Sequence, residues 1–200
     1  MIDNLFQIKG TYVNGQWMNN PNTYEVINPS NGKKLCDVPI SDHEELELAV
    51  QSAAKAQKIW EKKSLDYRAN ALLKLCSRIE ERAEEFALID SYDSGNALTG
   101  MRKDVAMSIE NIKYFCGLVR EVKGETFSME PKHLNFTRYQ PYGVVLKINP
   151  FNHPFRFCVE KIAAPLLMGN SLIIKNSGIL PFTFPLLVRY AGVATNTKLI

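Results

Sequence analysis

The chain has 200 residues, 46% of them apolar and 22% charged, with 24 basic against 21 acidic side chains and a net charge of +3. That length gives one to two domains and is enough to bury a real core. Charges of both signs are mixed along the chain with no block of about five alike, which argues against nucleic-acid or polybasic membrane binding.

No run of about 18 apolar residues is present, so no membrane span is expected. Met1-Ile2-Asp3-Asn4 lacks the cationic start of a secretion signal. Cys36, Cys76, Cys116 and Cys158 stand singly, with no CxxC pair and no metal-ligand cluster. They read as reduced, mostly buried thiols of a cytoplasmic protein.

Thr11-Tyr12-Val13 and Gln16-Trp17-Met18 flank Asn14-Gly15, a hairpin signature. Tyr24 to Ile27 is a second strand candidate, stopped by Asn28-Pro29 and Asn31-Gly32. The period then changes. Ser41 with Glu44 reads as a capping box. Leu46, Ala49, Val50, Ala53, Ala54 and Ala56 follow at helical spacing. A second helix fits 66–92, with Leu72, Leu73, Leu75, Ile79, Ala83, Phe86 and Ile89 inward, a break point near Arg82 and its end at Gly95. A third runs from about Thr99 to Val119, with Val105, Ile109, Ile112 and Phe115 on one face, and Gly124 closes that region.

Residues 133–140 alternate like a strand. The sequon Asn135-Phe136-Thr137 carries no meaning without a secretion signal. Gly143 to Ile148 is a short, almost continuous apolar run, the mark of a strand buried on both faces. An apolar helix from Pro154 to about Leu167 ends at Gly169-Asn170, and Ser171 to Lys175 is a second buried strand. Strand, helix and strand in about thirty residues make a βαβ unit with a parallel sheet and a right-handed crossover. A further helix fits 181–194, and the next strand is due at Thr195–Ile200. A parallel sheet stopped there has an uncovered edge, so truncation is expected.

The turn Asn149-Pro150-Phe151-Asn152-His153-Pro154 lies at the carboxyl end of the first parallel strand, where α/β proteins place ligand sites. A carboxamide there can donate to a developing oxyanion. By spacing alone, Asn152 is more readily a helix cap, and Lys175 more readily a solvated lysine. No GxGxxG follows the first strand, and no Ser-His-Asp set can be assigned.

Pro150-Phe151-Asn152-His153-Pro154, Lys161 to Leu166 and Gly169 to Lys175 together resemble the aldehyde dehydrogenase superfamily, whose pattern reads P-[WF]-N-[FYH]-P, then K-x-x-P-A-L-x-x-G-N-x-x-[VI]-x-K-P-S-E. Val26 to Gly32, Trp60, Arg68, Asp93-Ser94-Gly95 and Arg138 to Val145 extend the resemblance over about residues 9–194. It implies an α/β fold: an amino-terminal helical and hairpin region over 1–132, an oligomerisation strand element over 133–142, and the first, incomplete βαβ part of a Rossmann-like cofactor domain over 143–200. It also implies oxidation of a small-molecule aldehyde to an acid with NAD or NADP, in a cytoplasmic homo-oligomer, with no metal.

In that family a cysteine thiolate attacks the aldehyde, hydride passes to the nicotinamide, and a glutamate-activated water releases the acid. The resemblance makes Asn152 the oxyanion donor. It makes Ile148, Asn149 and Pro150 the cofactor-cleft wall and Lys175 the contact to the adenosine ribose or a 2′-phosphate. Ser177 and Gly178 complete the cofactor segment. Two departures stand out. The family's K-P-S-E reads Lys175-Asn176-Ser177-Gly178, so the ribose-binding Glu is missing and NADP stays open beside NAD. The family's Gly-Lys-Pro reads Gly95-Asn96-Ala97. The family's catalytic cysteine and glutamate and its G-x-x-x-x-G loop fall beyond the matched segments, and none of the four cysteines here matches the nucleophile. Two further readings therefore remain: a truncated, catalytically inactive fragment, and an unrelated α/β nucleotide-binding module, against which the Asn152 and Lys175 segments argue.

Overall fold

The computed structural model describes residues 10–178, 181–183, 185, 187 and 188. Strands β1 (Thr11–Val13) and β2 (Gln16–Met18) form the expected hairpin. Asn14 and Gly15 take φ of 51° and 80°, the left-handed pair that matches a two-residue turn to the twist of its strands. β3 (Thr23–Ile27) pairs antiparallel with β4 (Lys34–Pro39), a strand the sequence reading did not single out.

Helix α1 (His43–Trp60) starts one residue later than expected. Its capping box is Asp42 with Glu45: the Glu45 N–H donates to Asp42 at 2.9 Å, and the Asp42 N–H donates to Glu45 at 3.1 Å. Ser41 is engaged elsewhere, 2.6 Å from the Thr11 hydroxyl. The expected apolar face is also corrected. Leu46 and Val50 are exposed, whereas Glu45, Ala53, Gln57 and Trp60 are buried. Polar contacts choose the face. The Gln57 amide donates to the Gly169 carbonyl at 3.2 Å and the Trp60 indole to the Leu166 carbonyl at 2.7 Å, so the stripe that satisfies buried carbonyls turns inward.

The expected helix over 66–92 is two helices, α2 (Leu65–Glu80) and α3 (Ala83–Ser94), parted at Arg82, whose φ of −125° and ψ of 17° leave the helical region. Leu73 is exposed rather than inward, while Leu72, Leu75, Ile79, Phe86 and Ile89 join the core. Gly95, at φ 74°, closes α3 in the left-handed conformation that glycine adopts without a Cβ clash. Helix α4 (Leu98–Leu118) packs on α2 and α3 through Val105, Ile109 and Ile112.

β5 (Thr126–Glu130) and β6 (His133–Phe136) form an antiparallel hairpin. The strand expected over 133–140 stops at Phe136, and its partner β5 was not foreseen. The alternation buries neither face, since Phe127, Met129, Leu134 and Phe136 are all exposed. Gly124 is required beneath this hairpin, because a Cβ there would lie 1.9 Å from the Thr137 carbonyl oxygen.

β7 (Val144–Ile148) and β8 (Ser171–Lys175) pair in parallel, Val145 opposite Leu172 and Ile148 opposite Lys175. The connection is not one helix. It is α5 (Pro154–Val159), a 3-10 turn over 160–162, and α6 (Ala163–Leu167). Pro165 explains the break, since it has no N–H and its ring crowds the carbonyl four residues earlier, at Lys161. The reading of β7 as buried on both faces is corrected too. Val145 packs against the core, but Leu146 and Ile148 are exposed, because no described element covers their face. Within the expected helix over 181–194 only 181–183, 185, 187 and 188 are described, with Thr183, Leu187 and Val188 buried. The rest of that helix and the strand expected at 195–200 lie outside the described residues. No described helix is long and apolar enough to cross a membrane.

Candidate functional site

The site residues gather at the carboxyl ends of β7 and β8. Ile148 ends β7 with its side chain exposed. Asn149 is buried beside it. Its N–H donates to the Lys175 carbonyl at 2.9 Å, carrying the ladder one residue past the strand, and its carboxamide donates to Asn176 at 3.1 Å. Pro150, Phe151 and Asn152 then project into the open. Lys175 is exposed at the end of β8, its ammonium 3.4 Å from the Asn176 carbonyl. Ser177 is half-buried. Gly178 is exposed, and a Cβ on it would meet only the Tyr24 hydroxyl, at 3.9 Å.

The Asn152 carboxamide makes no hydrogen bond among the described residues, whereas the backbone around it is gripped. Asn96 donates from its carboxamide to the Asn152 carbonyl at 2.9 Å. The buried Asp104 carboxylate, on α4, lies 2.6 Å from His153 Nδ1. Asp90, on α3, accepts the Phe155 N–H at 2.7 Å and also the Thr183 hydroxyl. Beneath the turn, the Lys147 ammonium reaches the Asn149 side chain and the Phe157 carbonyl, and burial lowers its pKa. Asn96, Asp104 and Asp90 lie 49 to 65 positions before Asn152, His153 and Phe155, and no local signal in the sequence marks them.

Two of the nearby acids are perturbed. Burial pushes the Asp90 carboxyl up to about 7, against the pull of the Thr183 and Phe155 hydrogen bonds. Burial likewise pushes Asp93 up to about 8. Neither Asp93 oxygen has a well-formed hydrogen bond among the described residues. The Phe182 backbone N–H favours the charged form but does not overcome burial. In both cases burial outweighs the hydrogen bonds because the charged form loses its hydration.

All four cysteines are free, and none sits in the turn. Burial raises each thiol: Cys36 to about 11, Cys76 and Cys158 to about 12, and Cys116 also upward. Cys158 is fully buried inside α5, where Lys147, Asp90 and Asn149 act on its thiol. A thiol so raised is a poor nucleophile at neutral pH.

The aldehyde dehydrogenase family profile matches residues 17–195. An aldehyde dehydrogenase-like protein of Schizosaccharomyces pombe is 33% identical over 187 residues, which is 92% of this chain and 38% of that protein. A mutant aldehyde dehydrogenase from Bacillus cereus superposes with a TM-score of 0.92 at 26% identity, over 98% of this chain and 41% of that one. PnpE in complex with nicotinamide adenine dinucleotide gives 0.89 at 29% identity, over 94% and 39%. The chain thus spans about two fifths of the length of the relatives it matches. The family profile covers most of the chain and the related protein of Schizosaccharomyces pombe is 33% identical over 92% of it, so this chain belongs to the aldehyde dehydrogenase family.

Proposed function

We propose that these residues form the oxyanion side and one wall of the cofactor cleft of an enzyme that oxidises an aldehyde to a carboxylic acid, with NAD or NADP as hydride acceptor. One observation carries the reading. The turn leaving β7 exposes the Asn152 carboxamide, on a backbone held from behind, at the same carboxyl edge of the parallel pair that ends in the exposed Lys175. Asn152 has two N–H donors to hold a carbonyl oxygen as it gains charge.

The residues present fit a dinucleotide. Ile148, Asn149 and Pro150 offer a wall with an exposed apolar side chain, Lys175 a cation, and Ser177 a hydroxyl. Gly178 brings no carboxylate to repel a 2′-phosphate, which keeps NADP open as well as NAD. The bound dinucleotide supplies the hydride acceptor. This chain's residues orient the carbonyl and the nucleotide.

The nucleophile is not one of these four thiols. At a pKa of about 11, the most accessible of them, Cys36, is ionised in only about one molecule in ten thousand at pH 7. The 200 residues alone are therefore proposed to bind but not to turn over. The division into 1–132, 133–142 and 143–200 belongs to the same reading. So does self-association through the exposed Met129, Leu134 and Phe136 of the β5–β6 hairpin, as a homo-oligomer. Free cysteines fit a cytoplasmic compartment.

The test is an NMR shift titration of the folded chain with NAD+ and with NADP+ at millimolar concentration. The Ile148, Asn149 and Lys175 amides are expected to move, and Lys175→Ala to weaken NADP+ roughly tenfold, as for one charge-assisted contact. No movement at these amides with either nucleotide, or equal NADP+ affinity in the folded variant, would overturn the placement.

A further inference from the structure

The Asn96 carboxamide is itself held before it holds anything. The Asn96 N–H donates to the Ser94 hydroxyl at 3.1 Å, and the Asn96 carbonyl accepts the Ser91 hydroxyl at 2.7 Å. Both ends of the residue are tied to α3, so the short side chain has little freedom left. From there its Nδ2 reaches the Asn152 carbonyl at 2.9 Å, across 56 residues of sequence. The next residues of the turn are held from the same side, His153 by Asp104 and Phe155 by Asp90. Asn152 is the first of the three and the most exposed, and Asn96 is the contact made to its own peptide unit.

We propose that Asn96 is a positioning residue: it fixes the peptide unit of Asn152, and so the direction in which the Asn152 carboxamide points toward an oxyanion. The proposal rests on the oxyanion role given to Asn152 above. A carboxamide on a loose turn samples many directions, whereas one on a pinned peptide is aimed before the charge develops, and that pre-aiming makes such a donor effective. The neighbouring contacts at His153 and Phe155 hold the start of α5. Without Asn96 they leave the peptide between Asn152 and His153 free to rotate.

The test needs neither cofactor nor aldehyde, so it stands apart from the oxyanion reading. In the isotope-labelled 200-residue chain, a through-hydrogen-bond coupling is expected between the Asn96 side-chain nitrogen and the Asn152 carbonyl carbon. The His153 amide, in the same peptide plane as the Asn152 carbonyl, is expected to be rigid, with an order parameter near 0.85. Asn96→Asp keeps the size and removes the donor. It should drop the order parameter of the His153 amide, which shares the peptide plane of the Asn152 carbonyl, below about 0.6 while the Val145 and Leu172 amides keep their shifts. Asn96→Ala should do the same. Absence of the coupling in the unsubstituted chain, or an unchanged His153 amide order parameter in the folded Asn96→Asp chain, overturns the proposal. The coupling requires no variant, so it decides even if both variants fail to fold. A mobile His153 amide in Asn96→Asp, with activity indifferent to the matching asparagine in an active family member, would sink the oxyanion reading and leave the positioning intact.

Discussion

Replacing Trp60 by alanine is expected to lower the unfolding free energy by about 3–5 kcal/mol, measured by urea denaturation at neutral pH. Trp60 has no exposed surface. Its ring meets Tyr67 edge-on at 6.1 Å, and its indole N–H donates to the Leu166 carbonyl at 2.7 Å. Alanine opens a cavity and also strands that carbonyl, and the two costs add. The neighbouring Arg68 deepens the dependence. It donates to the Leu167 carbonyl at 2.8 Å and to the Lys63 carbonyl at 2.8 Å, so the end of α6 hangs on two side chains of the helical region. Trp60→Phe separates the contributions, because it keeps most of the volume and loses the donor. About 1–3 kcal/mol is expected for it. A loss under about 1 kcal/mol in Trp60→Ala would mean that α1 does not hold the βαβ unit in place.

Stability is expected to fall as pH rises from about 4 to about 8. Asp90 and Asp93 are raised to about 7 and about 8 by burial, whereas an unfolded aspartate titrates near 3.9. Between those values the folded chain keeps protons that the unfolded chain has released. The native state binds more protons, so the unfolding free energy declines with pH, by about 1.4 kcal/mol per pH unit for each acid still protonated. The contribution is complete below about pH 4 and lost as pH passes through about 7 for Asp90 and about 8 for Asp93. Asp93→Asn removes one of the two slopes and, having nothing to ionise, should be more stable than the unsubstituted chain at pH 8. Urea midpoints at pH 5, 6, 7 and 8 read this directly. Identical slopes in the two chains would show that Asp93 is already ionised in the fold.

These acids also show where a sequence stops being legible. The Asn14-Gly15 hairpin, the parting near Arg82 and both strands of the parallel pair could be read from local signals, because turn residues and apolar periods act over a few positions. The placement of Asn152 and Lys175 at strand ends was legible for the same reason, since a turn after a buried run marks a ligand-bearing edge. Asp90, Asp93 and Asp104 were not. Each lies on a helix among apolar neighbours, and a period of hydrophobicity assigns a carboxylate to the outside. Asp90 and Asp104 are met by partners far along the chain, Phe155 and Thr183 for the one and His153 for the other. The same cause misplaced the inner face of α1, where Gln57 and Trp60 turn inward to meet carbonyls that no local pattern announces. The exposed Leu146 and Ile148 are the reverse case. An apolar run reports that a strand is suited to burial, not that the described residues supply both covers.

The central claim is that this chain offers an oxyanion donor and a cofactor wall but no nucleophile. It is tested most directly by following absorbance at 340 nm with the purified 200-residue chain, a panel of aldehydes, and NAD+ or NADP+. The account predicts no aldehyde-dependent formation of NADH or NADPH, even where the NMR titration reports nucleotide at Ile148 and Lys175. Aldehyde-dependent turnover that disappears on replacing one of Cys36, Cys76, Cys116 or Cys158 would contradict it, because one of these four raised thiols would then be the nucleophile.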